Sequence, residues 1–296
     1  MKLELRRVTA LTPGAADARR SWPERESLLL RLSDADGGSG AGEASPLPGY
    51  SPDELAEVEG LLKDLDISLL EAALAEPQPR TALEAVSALA PRDLPAARMA
   101  LETAALDWLS RCAGVPAPTL LGAEATATRA LSELVGPASA PDLVARSQQA
   151  LDSGFRHIKL KLGGAGKLDQ ELEAVAALRE RLGPDIGLRL DANGCLTAPE
   201  LEIAWKALEK LDLELFEEPG ELPAGLRGAL PLALDESLQG LDVEGAEARL
   251  RAHQARFVVL KPMAIGGLTH CLRLAERAQA LGLGVVISHC FEGQTA

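Results

Sequence analysis

Residues 157–193 read HIKLKLGGAGKLDQELEAVAALRERLGPDIGLRLDAN. HIKLKL alternates charged and apolar residues with the period of a strand, and so does GLRLDAN. Between them Leu168–Leu182 carries apolar residues at helical spacing. A strand, a helix and a second strand of this length make a parallel βαβ unit. The same cadence continues in both directions, through ATRALSELV at 127–135, LELFEEP at 213–219, PLALDES at 231–237, RFVVLKP at 256–262 and GVVISHC at 284–290. Helical patterns such as Leu268–Leu281 separate most of them. Seven strands in succession predict a closed (β/α) barrel, whose eight units take roughly 250 residues; a doubly wound sheet is the competing arrangement.

Upstream the texture is α+β. Lys2–Val8 alternates as one strand and Glu26–Leu32 as another, joined by a polar loop, Thr12–Pro23. A Gly-rich turn, Asp34–Gly42, leads into GEASPLPGYSPDEL at 42–55, where prolines and a glycine argue against a regular element. Ser51, Pro52 and Glu54 resemble a capping box, so a helix is expected to start there. Two more helical stretches should follow, the last being Leu94–Ala113, stopped by Gly114 and Pro116. The expected division is an α+β domain over 1–115 and a barrel over 116–296.

The 296 residues carry 44 acidic and 30 basic side chains, a net charge of −14. Such a chain is repelled by nucleic-acid backbones and anionic membranes, and aromatic residues at 3% leave little for base stacking. No run nears the roughly 18 apolar residues of a membrane span. The N-terminus has no signal-peptide core. Cys112, Cys195, Cys271 and Cys290 lie far apart and read as free thiols, so a soluble cytoplasmic protein is expected. GGAGK at 163–167 lacks the first glycine and the Ser/Thr of a phosphate loop and reads as a tight turn.

Chemistry concentrates at the strand ends. Lys159 and Lys161, Asp191, Glu217, Asp235 and Lys261 each close a strand-like run, in successive βα units. The C-terminal ends of barrel strands converge on one mouth. Leu160, Leu190, Leu234 and Leu260 have the opposite parity and should face the covering helices, leaving the charges inside. Three carboxylates brought together repel one another, and a divalent cation relieves that; oxygen donors select Mg²⁺, with Mn²⁺ as an alternative. A desolvated lysine near a cation has a lowered pKa and can act as a base. The chemistry implied is proton abstraction beside a substrate carboxylate, with the metal stabilising the enediolate. Glu218 has the opposite parity and reads as a surface or supporting group.

K-L-K at 159–161, D-A-N at 191–193, E-E-P at 217–219, D-E-S at 235–237 and K-P at 261–262 together resemble the enolase superfamily, muconate-lactonising subgroup. The resemblance implies an α+β capping domain over a modified (β/α)₇β barrel of the TIM type. It implies Mg²⁺ on Asp191, Glu217 and Asp235, Lys161 as the base, Lys159 tuning it and Lys261 across the site. GEASPLPGYS at 42–51 and LRLDAN at 188–193 are most similar to the o-succinylbenzoate synthases of menaquinone biosynthesis. For that group the expected reaction is dehydration of a cyclohexadiene hydroxy-carboxylate, a small-molecule substrate. Ser288 and Glu292 match its seventh strand, while His289 and Cys290 depart. Arg189, Asn193 and Ser288 are the expected substrate contacts, with Arg19 or Arg20 as further candidates for a carboxylate. The same residues would serve a dipeptide epimerase or N-acylamino-acid racemase, and an acidic βα scaffold acting as a binding module is the non-enzymatic alternative. Against this architecture the chain is expected to lack its last βα unit.

Overall fold

The computed structural model describes residues 1–17, 20–123, 129–164, 167–226, 228 and 230–293. Arg19, residues 127–128 of the first barrel run, and Ala165 and Gly166 of the expected tight turn lie outside them. The chain opens with three antiparallel strands in the order β1 (Lys2–Leu11), β2 (Glu24–Ser33), β3 (Ser39–Ala44). Helices α1 (Leu55–Lys63), α2 (Ile67–Leu74), α3 (Pro79–Ser87), α4 (Pro95–Ala113) and the short α5 (Ala117–Leu120) follow. Strand and helix then alternate as β4 (Ser132–Pro137), α6 (Leu143–Asp152), β5 (His157–Lys161), α7 (Leu168–Leu182), β6 (Gly187–Asp191), α8 (Ala198–Leu208), β7 (Leu215–Glu217), β8 (Leu232–Leu234), α9 (Val243–Ala252), β9 (Phe257–Leu260), α10 (Pro262–Ile265), α11 (Gly267–Ala280) and β10 (Gly284–Ile287). The seven later strands form one parallel sheet in strict sequence order, curled into a partial barrel wall with β4 and β10 at its edges. Among the described residues no helix is long and apolar enough to cross a membrane.

Strand parity divides the barrel as its alternation predicts. Leu160, Leu188, Leu190, Leu234, Val258 and Leu260 pack outward into the helix layer. Inside, Leu215, Ala233 and Val259 form a separate apolar plug with Phe257 and Val286. The charged strand ends sit above that plug, so the wall beneath them is apolar.

Three expectations about the α+β part need correction. The Gly-rich stretch holds a strand, β3, where a turn was expected. Its glycines serve close approach: a Cβ on Gly40 would stand 2.1 Å from the Ala104 carbonyl oxygen, and one on Gly42 2.1 Å from that of Ala100. Backbone of β3 therefore lies directly on α4, a helix buried along most of its length. Second, α1 begins at Leu55, capped by Glu54 with Glu57, not at Pro52. Asp53 is drawn away to cap α4, its Oδ2 accepting from the Ala96 N–H at 2.8 Å. Third, two helices, α2 and α3, lie between α1 and α4 where one was expected.

The two parts meet through the segment after β9. Met263 and Ala264 are buried in the α+β core, and Glu102 of α4 caps α11, accepting from Thr269 N at 3.1 Å and Thr269 Oγ1 at 2.6 Å.

Gly40→Ala should cost about 2–3 kcal/mol by overpacking against α4. Gly114→Ala, which meets only backbone strain at φ 66° in open space, should cost about 1 kcal/mol. Urea denaturation reads both, and equal losses would contradict the close approach of β3. Burial pushes Asp53 up to about 7, above the roughly 3.9 of an unfolded Asp. The folded state then binds this proton more tightly, so stability falls as pH rises from about 4 to about 7. Asp53→Asn should remove that slope; a wild-type-to-variant difference that stays constant with pH would contradict it.

Candidate active site

Parallel register places the charges side by side, pairing Lys161 with Asp191 and Asp191 with Glu217 across β5, β6 and β7. Lys159 Nζ lies 2.7 Å from Asp191 Oδ2 and 2.7 Å from both Glu217 oxygens. Lys161 Nζ donates to Asp191 Oδ2 at 2.6 Å and to Asn193 Oδ1 at 2.9 Å. On the other side Lys261 pairs with Asp235 and donates to the Tyr50 hydroxyl at 2.7 Å, with its ammonium 4.6 Å from the centre of the Tyr50 ring. Asp235 also accepts from Tyr50 at 3.2 Å. Behind these, Glu218 accepts from Asp235 N at 2.7 Å and Ser237 Oγ at 3.1 Å, and Glu236 accepts from Asn193 Nδ2 at 2.8 Å.

The electrostatics are those of crowded, buried carboxylates. Burial, reinforced by the neighbouring Asp191 charge, pushes Glu217 up to about 7. Burial likewise takes Glu218 to about 7 and raises Asp235 and Glu236. Asp191 is the exception: burial opposes its charge, but Lys159, Lys161 and Lys261 outweigh burial and hold its carboxyl far below the usual range. For Lys159 and Lys261 burial again opposes the charge, and their carboxylate partners again prevail, so both stay well above the ordinary lysine value.

Counted as formal charges, five carboxylates against three ammoniums leave an excess of two negative charges, and the upward shifts of Glu217, Glu218, Asp235 and Glu236 register that excess. Among the described residues no three acidic, His or Cys side chains converge on a common point as they stand; the Lys159 ammonium lies between Asp191 and Glu217, and Lys261 occupies Asp235. The donor set is nonetheless all oxygen, buried and mutually repelling. It fits a hard cation better than zinc or a thiophilic metal. Asp191, Glu217 and Asp235 are the residues that would hold it.

The strand-end lysines and carboxylates come together, while the expected substrate contacts divide. Arg189 lies one layer deeper, pairing with Glu214 at 2.7 and 2.9 Å, and Glu214 also bonds His157 at 2.7 Å. His157 and Glu214 stand at the N-terminal ends of β5 and β7, so the guanidinium points away from the mouth; the substrate role expected of it is withdrawn. Asn193, 5% exposed, has its amide engaged by Lys161 and Glu236, which makes it a support for the lysine instead of a substrate contact. Ser288 shares the interior parity of Val286 and continues the β10 ladder, its N–H donating to Leu260 O at 2.9 Å. Glu218 is buried rather than on the surface. Sequence reading missed Tyr50 and Glu236. The chain's single tyrosine, in a Pro-Gly turn, and the middle carboxylate of D-E-S were the available signals.

Residues 142–296 match the family model described as Enolase C-terminal domain-like. An L-Lys-D/L-Arg epimerase from Methylococcus capsulatus is 30% identical over 277 residues, covering 90% of this chain and 75% of that protein. An o-succinylbenzoate synthase from Desulfotalea psychrophila is 27% identical over 323 residues, covering 98% of this chain and 84% of the relative. The crystal structure of MenC from the same organism superposes with a TM-score of 0.80 at 26% identity, over 100% of this chain and 87% of that one.

If Arg189 is structural, Arg189→Met should lower stability by about 2 kcal/mol, since it strands the half-buried Glu214, and leave Mg²⁺ affinity within about twofold. Calorimetric titration and urea denaturation separate the two. Lost Mg²⁺ binding in a folded variant would return Arg189 to the site.

Proposed function

We propose a reaction on the premise that the chain belongs to the enolase superfamily: removal of the proton α to a substrate carboxylate, followed by loss of water, as in an o-succinylbenzoate synthase. The observation that carries this reading is the asymmetry of the two flanking lysines. Lys261 is held as an ammonium by Asp235, by the Tyr50 hydroxyl and by the face of the Tyr50 ring. A lysine so held suits a fixed cation beside developing negative charge or a ring, not a base. Lys161, with Asp191 and the neutral Asn193 amide as partners, is the one placed to take a proton.

Mg²⁺, which members of this superfamily generally use, would supply positive charge at the substrate carboxylate when bound by Asp191, Glu217 and Asp235. Lys161 removes the α-proton and, as its ammonium, returns a proton to the departing hydroxyl; one group can serve both steps if the elimination is syn. Lys159, between Asp191 and Glu217, favours the charged form of both and tunes Lys161. The apolar plug below excludes water from the reacting face. Near end-to-end alignment with the Desulfotalea synthase supports this choice.

A second reading is epimerisation of a dipeptide or N-acylamino acid, in which Lys161 and Lys261 exchange the α-proton from opposite faces. The identity to an epimerase over 90% of the chain favours it. Incubation with Mg²⁺ in D₂O decides. Dehydration of the cyclohexadiene hydroxy acid without exchange into L-Ala-L-Glu-type dipeptides is expected. Dipeptide exchange without dehydration would overturn the synthase reading. Lys161→Ala and Asp235→Asn should each lower turnover by about 10³-fold or more with the circular-dichroism spectrum unchanged; full activity in either would contradict the mechanism.

A further inference from the structure

Arg25 of β2 is 3% exposed, and among the described residues no carboxylate stands within ion-pair distance of it. Burying a guanidinium is costly, and the charges of Glu292 and Glu43, both beyond ion-pair distance, offset that cost only in part. Its donors go to backbone oxygens of two separate segments. Nη2 donates to Ser45 O at 2.5 Å, Ser45 Oγ at 2.7 Å and Pro46 O at 3.3 Å, and Nη1 donates to Cys290 O.

Both segments border the mouth. Ser45 and Pro46 form the base of the 45–51 loop, whose tip carries Tyr50, and Cys290 lies two residues beyond Ser288. The loop is also anchored by Leu47, buried in the α+β core, against which Tyr50 packs. Trp22 Nε1 donates to Pro48 O at 3.0 Å, Ser27 Oγ to Ser45 Oγ at 2.9 Å, and Ser45 N contacts Met263 Sδ at 3.2 Å. Tight turns within the loop, from Tyr50 N and Ser51 N to Leu47 O at 2.9 Å, make its tip follow its base. Tyr50 in turn is the contact that, with Asp235, fixes Lys261.

We propose that Arg25 is a positioning residue for the active site: by clamping the 45–46 carbonyls to that of Cys290, it sets Tyr50 against Lys261. The inference rests on Lys261 being a functional cation, but it concerns where Lys261 is held, and its test needs no substrate.

Trace labelling of the 296-residue chain with acetic anhydride, read by peptide mass spectrometry, compares Lys261 with Lys161 in one sample. Arg25→Met should raise the Lys261-to-Lys161 labelling ratio at least fivefold. Tyr50→Phe, which removes the hydroxyl contact directly, should raise it as well. Arg25→Lys, which keeps one donor for the Ser45 side and loses the fork to Cys290, should fall between wild type and Arg25→Met. An unchanged ratio in Arg25→Met or in Tyr50→Phe would overturn the proposal. So would a joint rise of Lys159, Lys161 and Lys261, the mark of general loosening. Should Arg25→Met fail to fold, Arg25→Lys decides alone: a ratio at least twofold above wild type supports the clamp, and the wild-type ratio sinks it. Absence of every turnover tested above would defeat the proposed reaction and leave the labelling result standing.

Discussion

The structure depends on burying acidic and basic strand ends against one another. Asp191 is fully buried and Glu217 only 2% exposed, and both stand over an apolar plug. Coulomb interactions are strong there, in either sign. Each carboxylate must find a cation or take up a proton, and Lys159, Lys161 and Lys261 supply three cations for five acids. In the proposed reading that residual negative charge draws in a divalent ion, and the ion's positive charge in turn would hold the anionic end of a substrate.

That arrangement reaches into the α+β part. Lys161 is held within the barrel, by Asp191 and Asn193, whereas Lys261 is held partly by Tyr50 from the 45–51 loop. The chain just beyond Lys261 is gripped again, through Met263 in the α+β core and through Glu102 at the start of α11. Helix N-termini take carboxylates well, and here two helices, α4 and α11, take theirs from distant positions, Asp53 and Glu102. Such caps join elements that the strands alone would leave independent. The two sides of the site are thus built by different parts of the chain, and this is the physical basis for giving the two lysines different roles.

The barrel wall was legible because period-2 alternation with a charge at successive strand ends favours convergence on one mouth over the competing doubly wound sheet, and the same parity separates the outward leucines from the inward lysines and acids. The strand β3 was not legible: Gly40 and Gly42 mimic a turn in sequence, and only the passage of α4 across them explains why they are in a strand. Nor was the start of α1, since Asp53 is claimed by a helix more than forty residues away. Arg189 has the correct parity but the wrong height. Its partner Glu214 is 25 residues distant, and no local pattern reveals that the pair lies at the far end of the strands. The partners of the Tyr50 hydroxyl, Asp235 and Lys261, are remote from it in sequence, so its place at the site emerges only from the packing of the loop.

The most direct test is a calorimetric titration of Mg²⁺ into the wild-type chain and Asp235→Asn at neutral pH. Charge excess and oxygen donors predict saturable binding of one Mg²⁺ per chain, weakened at least about tenfold when Asp235 loses its charge. No saturable binding to the wild-type chain, or equal affinity in the two proteins, would contradict the view that these buried carboxylates form a cation site.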